Sequence, residues 1–495
     1  MLLASHPIAR GARGAQHSAS RAARLLLAVS ALAVGGCATP PPTAVLPPAL
    51  TQCLDRYGAD DARLTAAGVR DAQAWRVPGH PWLRLDRLLA SFADELTTPA
   101  RRRAWLLHAS ALDAEGRALE HARLATASPD NGALSACRAA LLEATLASEA
   151  AWPALRTAAA GLPDDYSTAR RVAGLYPVSA RVVLRGVRKL QRDHAPRLLE
   201  GAAVGSLTGE TYAPPVLAWP RVAAPRRWSR DALGVPRIAP DLEAELIARH
   251  APSLVVETRG ADDRPGRIAQ ISAPYVADDE PTVYTRLAYT RFEGQVLPQL
   301  VYTWWFAART AERRFDPLAG PLDGLTWRVT LDDDGAPLAY DVMHNCGCYH
   351  MFFPTARLAR RAAGSSLEEP PWVPFAIPAH WSGAPRLGLA AGSHYLTALA
   401  PAEPGRVERV YTLRDYDELR ALPGPAPRVS LFDARGLVPG SARGERWFLW
   451  PMGVVAPGSM RQWGHHATAF VGRRHFDDAR LLERYFSRAA EAASD

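Results

Sequence analysis

The chain has 495 residues, 48% of them hydrophobic and 22% charged, with 42 prolines, 5 cysteines and a formal net charge of +8. That apolar content argues against a disordered chain and is enough for two or three folded units. Four of the positive charges lie in residues 1–36, which contain no acid, so the rest of the chain carries only +4; it has no basic run interleaved with aromatics, and no nucleic-acid partner is expected.

Arg10, Arg13, Arg21 and Arg24 precede a short apolar stretch, Leu25 to Val34, that is too short to span a bilayer and reads as an export signal. It closes on Val34-Gly35-Gly36-Cys37, which resembles the lipobox of bacterial lipoproteins. The resemblance implies cleavage before Cys37 and attachment there of a diacylglycerol and an acyl chain such as palmitate, enough methylenes for durable membrane anchoring. Ala38 follows the cysteine, where an aspartate would imply inner-membrane retention, so the implied location is the outer membrane, facing the periplasm. An ordinary signal peptide with an incidental cysteine is the alternative. Residues 38–48 are proline-rich and predict an extended tether. No later segment is long and apolar enough to cross a bilayer.

From Leu50 to Leu199 the signals are helical. Thr98-Pro99 predicts an N-cap with proline in the first turn, opening a helix that runs through Leu124. Ser128 to Gly132 reads as a turn, and Leu134, Cys137, Leu141, Leu142 and Leu146 then share one helical stripe. Another helix is expected to begin at Pro163 to Ser167 and to stop at Gly174 to Pro177. Tyr212 to Pro240 is rich in proline and tryptophan and reads as a connection, with a short helix at Asp241 to His250 beyond it.

The pattern then changes to strands. Thr282 to Thr290 and Val296 to Phe306 flank Glu293-Gly294 as one hairpin; Thr326 to Leu331 and Pro337 to Val342 flank Asp332-Asp333-Asp334-Gly335 as a second. The aspartates lack the other ligands of a calcium loop and are read as a turn. In the tail, Trp463 to Phe476 reads as a strand and turn, followed by a helix capped by Asp477 or Asp478 with Leu481, Leu482, Tyr485 and Phe486 buried. Trp304, Trp305, Trp447 and Trp450 are expected in the core. The predicted class is α+β, a helical N-terminal domain followed by a β-rich antiparallel domain with a terminal helix. Its divisions are 1–36 (signal), 37–49 (tether), 50–210 (helical), 211–240 (linker) and 241–495 (β-rich).

The chemistry concentrates in His344-Asn345-Cys346-Gly347-Cys348-Tyr349-His350, which follows the second hairpin directly. In an extended strand His344, Cys346, Cys348 and His350 would share one face, with the two histidines roughly 20 Å apart. A bend at Gly347 would bring them closer. Thiolates and imidazoles suit copper or zinc, so the candidate metal ligands are His344, Cys346, Cys348 and His350, completed from the tail by His465 or His466, with His475 a further possibility. The spacing matches no standard zinc finger, and CxxCH is absent. Three other readings stand beside it. Cys346 and Cys348 form a structural or exchanging disulfide; Cys53 and Cys137 either pair likewise in an oxidising compartment or stay as two unpaired, buried small residues. One of these thiols is a nucleophile. Or the protein is a non-catalytic scaffold or binding module whose histidines are structural. GxSxG, HExxH and GxxxxGK[ST] are absent. The blocks Pro321-Leu322-Asp323-Gly324-Leu325-Thr326-Trp327, His344 to Pro354 and Met460-Arg461-Gln462-Trp463-Gly464-His465-His466 resemble a family of uncharacterised proteobacterial lipoproteins, a resemblance that implies no activity. The expected partner is thus a membrane, through the lipid; no protein partner is specified.

Overall fold

The computed structural model describes residues 47–490, apart from 127–130, 205–206, 216–227, 271–273, 363–367, 402–406 and 426. Cys37 and the turn residues 128–130 therefore lie outside the described residues, as do residues 216–227 of the Pro/Trp-rich stretch. Residues Ala49–Asp495 pack as one compact unit. The chain is α+β, with helices first and largely antiparallel sheets after, in which β13–β4, β15–β3 and β16–β7 pair parallel, and a short helix near the end.

The helical part comprises α1 (Pro48–Ala66), α2 (Arg87–Ala90), α3 (Pro99–Ala122), α4 (Asn131–Ala147), α5 (Ala151–Ala160), α6 (Thr168–Ala173) and α7 (Tyr176–Val204). Thr98 caps α3 by accepting from the Arg101 amide, with Pro99 in the first turn. The stripe on α4 is buried at Leu134, Cys137, Leu141 and Leu142. Cys53 of α1 and Cys137 of α4 form a disulfide, their Cα atoms 5.2 Å apart. One element escaped the sequence pattern: the hairpin β1 (Trp75–Val77) and β2 (His80–Leu85), too short for a periodic signal. From β2, the fully buried Arg84 meets Glu120 at 2.7 Å and Asp113 at 3.2 Å on α3, and Gly116 leaves room for its guanidinium, which a Cβ would overlap.

The β-rich part begins with β3 (Glu210–Ala213), then α8 (Pro240–His250), β4 (Ser253–Val256), β5 (Arg267–Gln270) and β6 (Pro274–Ala277). Next come β7 (Thr282–Phe292), β8 (Gln295–Arg309), β9 (Gly320–Leu331), β10 (Pro337–His344), β11 (Met351–Pro354) and β12 (Leu358–Arg360). The chain finishes with β13 (Arg386–Leu389), β14 (Leu396–Ala400), β15 (Arg409–Val410), β16 (Thr412–Asp415), α9 (Arg446–Leu449), α10 (Leu481–Tyr485) and β17 (Phe486–Arg488). Both expected hairpins form: β7–β8 turns at Glu293 and Gly294, both with positive φ, and β9–β10 turns at Gly335, where the amide donates to Asp332 O.

A six-stranded sheet runs β11-β10-β9-β8-β7-β16, and a five-stranded sheet runs β14-β13-β4-β3-β15. Trp304, Phe306, Trp327, Val329, Tyr340, Val342 and Phe353 of the first sheet share one buried core with Leu254, Val256, Leu387, Leu389, Leu396 and Leu399 of the second. The opposite face of the six-stranded sheet is buried but polar, carrying Gln299, Arg328, Thr330 and Asp341.

Two tail features differ from the sequence pattern. Residues 463–476 form no strand; an isolated bridge, Ala467 to His475, is their one β pairing among the described residues. The terminal helix is capped by neither Asp477 nor Asp478: Arg480 occupies that position without a side-chain cap, and Phe486 opens β17. Trp304 and Trp305 are core residues as expected, but Trp447 is 69% and Trp450 39% exposed.

Candidate functional site

Residues 345–350 form the connection between β10 and β11 rather than an extended strand. The Gly347 amide donates to His344 O at 2.7 Å, and the His344 amide to Cys348 O at 3.0 Å. Gly347 (φ 92°) and Tyr349 (φ 57°) make the bend, and a Cβ at Gly347 would overlap the Ala467 carbonyl. Asn345 anchors the turn: its side chain accepts from Thr326 Oγ1 at 2.7 Å and donates to Trp304 O at 3.0 Å.

That bend scatters the six expected metal ligands. His344 continues the β10 face that carries Tyr340 and Val342. His350 emerges on the other face, its Nε2 2.9 Å from Asp341 Oδ2, the carboxylate that also accepts from Arg328. Burial pushes His350 down to about 4, so it is neutral. Cys346 packs among Trp305, Leu322, Leu419 and Met460. His465 donates through Nε2 to Ala72 O at 2.8 Å, its Nδ1 lies 3.2 Å from Asp165 Oδ1, and those partners raise its pKa against burial. His466 is buried and pushed down to about 3. His344, His350 and His465 are thus each directed at a different carboxylate, Asp323, Asp341 and Asp165. Among the described residues no group of three or more His, Cys, Asp or Glu side chains is placed to hold a metal ion. The shared shell expected of His344, Cys346, Cys348, His350, His465 and His466 is not assembled.

Cys346 and Cys348 are free thiols, not the expected disulfide. The Cys346 thiol, burial and the nearby Glu445 carboxylate all push the Cys348 thiol well up. That is the reverse of what an activated cysteine nucleophile needs.

What the fold does assemble is a different centre around His344. The β13–β14 turn brings His394 and Tyr395 from the second sheet against the β10–β11 turn of the first, so that the Tyr395 and Tyr349 hydroxyls hydrogen-bond. His394 lies between two carboxylates, Nδ1 2.9 Å from Asp323 Oδ2 and Nε2 3.4 Å from Asp263 Oδ1, and stacks on Phe306 at 4.0 Å. The other oxygen of Asp323 lies 3.6 Å from His344 Nδ1. Arg309 donates to the Tyr395 hydroxyl at 3.0 Å and to Ser393 O at 3.3 Å. Comparison with known protein families, with curated proteins and with solved structures finds no match. The site therefore has to be read from its own geometry.

Burial alone would keep His394 neutral, but its two carboxylates overcome burial and raise its pKa. Asp323 is held well below the usual carboxylate range despite its burial, by hydrogen bonding to His344 and His394. For His344 burial wins and the pKa falls. The centre thus sets two carboxylates, Asp263 and Asp323, against the Arg309 guanidinium and a His394 imidazole whose pKa those carboxylates raise. His344 is the neutral member, with Nδ1 directed at Asp323. Among the described residues its Nε2 is buried without a hydrogen-bond partner, as is His394 Nε2. Backbone strain collects here too: Leu322, Tyr349 and His394 all have φ between 51° and 57°, and each is in the centre or next to it in sequence. Sequence reading found His344 by local density. It missed Asp263, Arg309, Asp323, His394 and Tyr395, whose available signal was only the Gly392-Ser393-His394-Tyr395 turn between two apolar strands.

Proposed function

We propose that the chain is a lipid-anchored protein of the bacterial cell envelope, held by acyl chains on Cys37, whose body binds a small polar ligand where the two sheet turns meet. The ligand reading is supported by the unpartnered Nε2 of buried His344 together with the convergence of Asp323, His394, Tyr349 and Tyr395 around that ring. A buried imidazole nitrogen without a partner is costly, and such orphans in folded proteins accompany a bound water, ion or ligand. With Nδ1 facing an ionised carboxylate, the neutral ring offers a lone pair at Nε2, the arrangement of a hydrogen-bond acceptor or general base. The ligand is accordingly one that brings an O–H or N–H donor; the Tyr349 and Tyr395 rings stand edge-on to His344, with centroids 5.2 and 5.4 Å away. The thiols take no part in this reading, because Cys348 is held protonated.

Two measurements test the two halves. Cells labelled with radioactive palmitate should yield labelled wild-type protein and unlabelled Cys37→Ser; equal labelling of both sinks the anchor. Nitrogen-15 NMR of the histidine rings should place an unprotonated Nε2 on His344 at pH 7. A thermal-shift screen of hydroxy acids, sugars and short peptides should then give a stabilising compound whose effect disappears in His344→Gln. A protonated Nε2, or a hit that stabilises His344→Gln equally, ends the ligand reading.

A further inference from the structure

We propose that α6, the first half of α7 and α9 form a tip that dips into an anionic phospholipid surface. The proposal rests on the reading of the chain as a membrane-tethered envelope protein and adds a second, direct contact between its body and a bilayer.

Six large apolar side chains at this tip face solvent: Val172, Leu175, Val178, Val182, Trp447 and Phe448 are each between 64% and 72% exposed. They are not scattered. The α6–α7 junction is locked against the 450–453 turn that follows α9: the Ser167 amide donates to Gly453 O at 2.7 Å and Arg171 Nε to Met452 O at 2.8 Å. Gly174 lies so close to Pro451 that a Cβ there would overlap it. Clustered exposed apolar side chains of this kind mark an interaction surface rather than ordinary surface variation. Leu175 sharpens the point, because it holds a left-handed backbone (φ 49°) where glycine would cost less, yet its side chain buries little.

Charge selects the occupant. Residues 166–192 contain seven basic side chains and no acidic one. On α7 the exposed positions Val178, Arg181, Val182, Arg185, Arg188, Lys189 and Arg192 follow helical spacing and share one face, valines toward the tip and cations behind them, with Lys189 paired to Asp193 at 2.5 Å. Arg181, Arg185 and Arg188 make no ion pair among the described residues. The opposite stripe, with Ala180 and Leu184, is buried against Met452 and Val471. Aromatic and aliphatic residues at the leading edge with unpaired arginines behind them fit the headgroup boundary of an anionic bilayer. An apolar protein partner would leave the arginines unpaired, and a second copy of the same face would set them against one another. The ten residues between Cys37 and α1 could span at most about 35 Å even if fully extended, so an acylated Cys37 would hold the body where such a tip can reach the membrane.

The test uses the full-length chain carrying Cys37→Ser, so that no acyl anchor contributes, and measures co-sedimentation with vesicles. Binding is expected to phosphatidylglycerol-containing vesicles and not to pure phosphatidylcholine. Adding Trp447→Ser with Phe448→Ser, or separately Arg185→Glu with Arg188→Glu, should weaken it about tenfold or more. Both pairs are exposed or lie on the outward stripe, so circular dichroism should be unchanged. Residues 1–36 are common to every protein compared, and the difference reads the tip alone. Equal vesicle binding by all three proteins overturns the proposal. So does a tip-dependent dimer in sedimentation velocity without vesicle binding, which assigns the face to self-association. Loss of palmitate labelling in wild type would defeat the anchor reading and leave this outcome standing.

Discussion

His475 sits buried with Nε2 3.4 Å from Asp164 and 3.5 Å from Asp165, and Nδ1 3.6 Å from Asp478. Burial opposes its charge, but the three carboxylates win and raise its pKa from 6.5 to about 10. Because the folded value lies above the unfolded one, the imidazolium stabilises fully below pH 6.5 and its contribution is lost as pH rises through 10. The full contribution is about 5 kcal/mol, and about 2.5 kcal/mol of it disappears between pH 7 and pH 9. His475→Gln removes this dependence, since all three carboxylates stay ionised across that window. His465 shares Asp165 with His475, so urea denaturation at pH 7, 8 and 9 isolates the effect when both proteins also carry His465→Gln. The protein that keeps His475 should lose about 2.5 kcal/mol more than the one that lacks it over the window. Parallel losses, within about 0.5 kcal/mol, refute the claim that His475 is charged in the folded protein.

Other outcomes follow from the same geometry. Cys53→Ser with Cys137→Ser opens a crosslink spanning 84 residues. Chain entropy predicts a cost of about 4.5 kcal/mol, read as a fall in the urea midpoint, and reduction of wild type should reproduce it. Asp71→Asn leaves Arg420, bidentate to it at 2.8 and 3.2 Å and 1% exposed, without its main buried partner. That should cost about 3 kcal/mol or more, whereas Asp71→Leu with Arg420→Met should be less destabilised than Asp71→Asn alone. Gly347→Ala should lower thermal stability by the equivalent of about 2 kcal/mol or more, because it combines left-handed backbone with overlap at Ala467.

The parts of the fold legible in the sequence are those written locally. Thr98-Pro99 declares a helix start, the stripe from Leu134 declares a buried face, and Glu293-Gly294 between β-branched runs declares a hairpin. The tail departs from the strand pattern because residues 463–476 are held by side chains rather than by a ladder: the Tyr166 hydroxyl lies 2.8 and 2.9 Å from the Ala469 and Arg474 carbonyl oxygens, and the Trp463 amide donates to Tyr416 OH. The site was half legible for a related reason. Composition located His344, but the extended-strand assumption put His350 on the same face, and two left-handed residues, Gly347 and Tyr349, turn the chain so that it is not. The acids that define the centre, Asp263 and Asp323, lie 131 and 71 residues before His394 in the chain. No local pattern encodes such a meeting.

The segment just after the tether closes against the far end of the chain. Asp71 receives Arg420 and Gln462, Gln73 accepts from Arg286, the Ala72 carbonyl receives His465, and Ser91 accepts from Arg291. Contacts this distant in sequence form late and slowly. The first helices made on the ribosome must wait for residues some 350 positions downstream before their loops can lock. A truncated product ending before Arg420 would keep its hydrophobic stripes but not its latch, and should be cleared by proteolysis rather than accumulate as a partial fold.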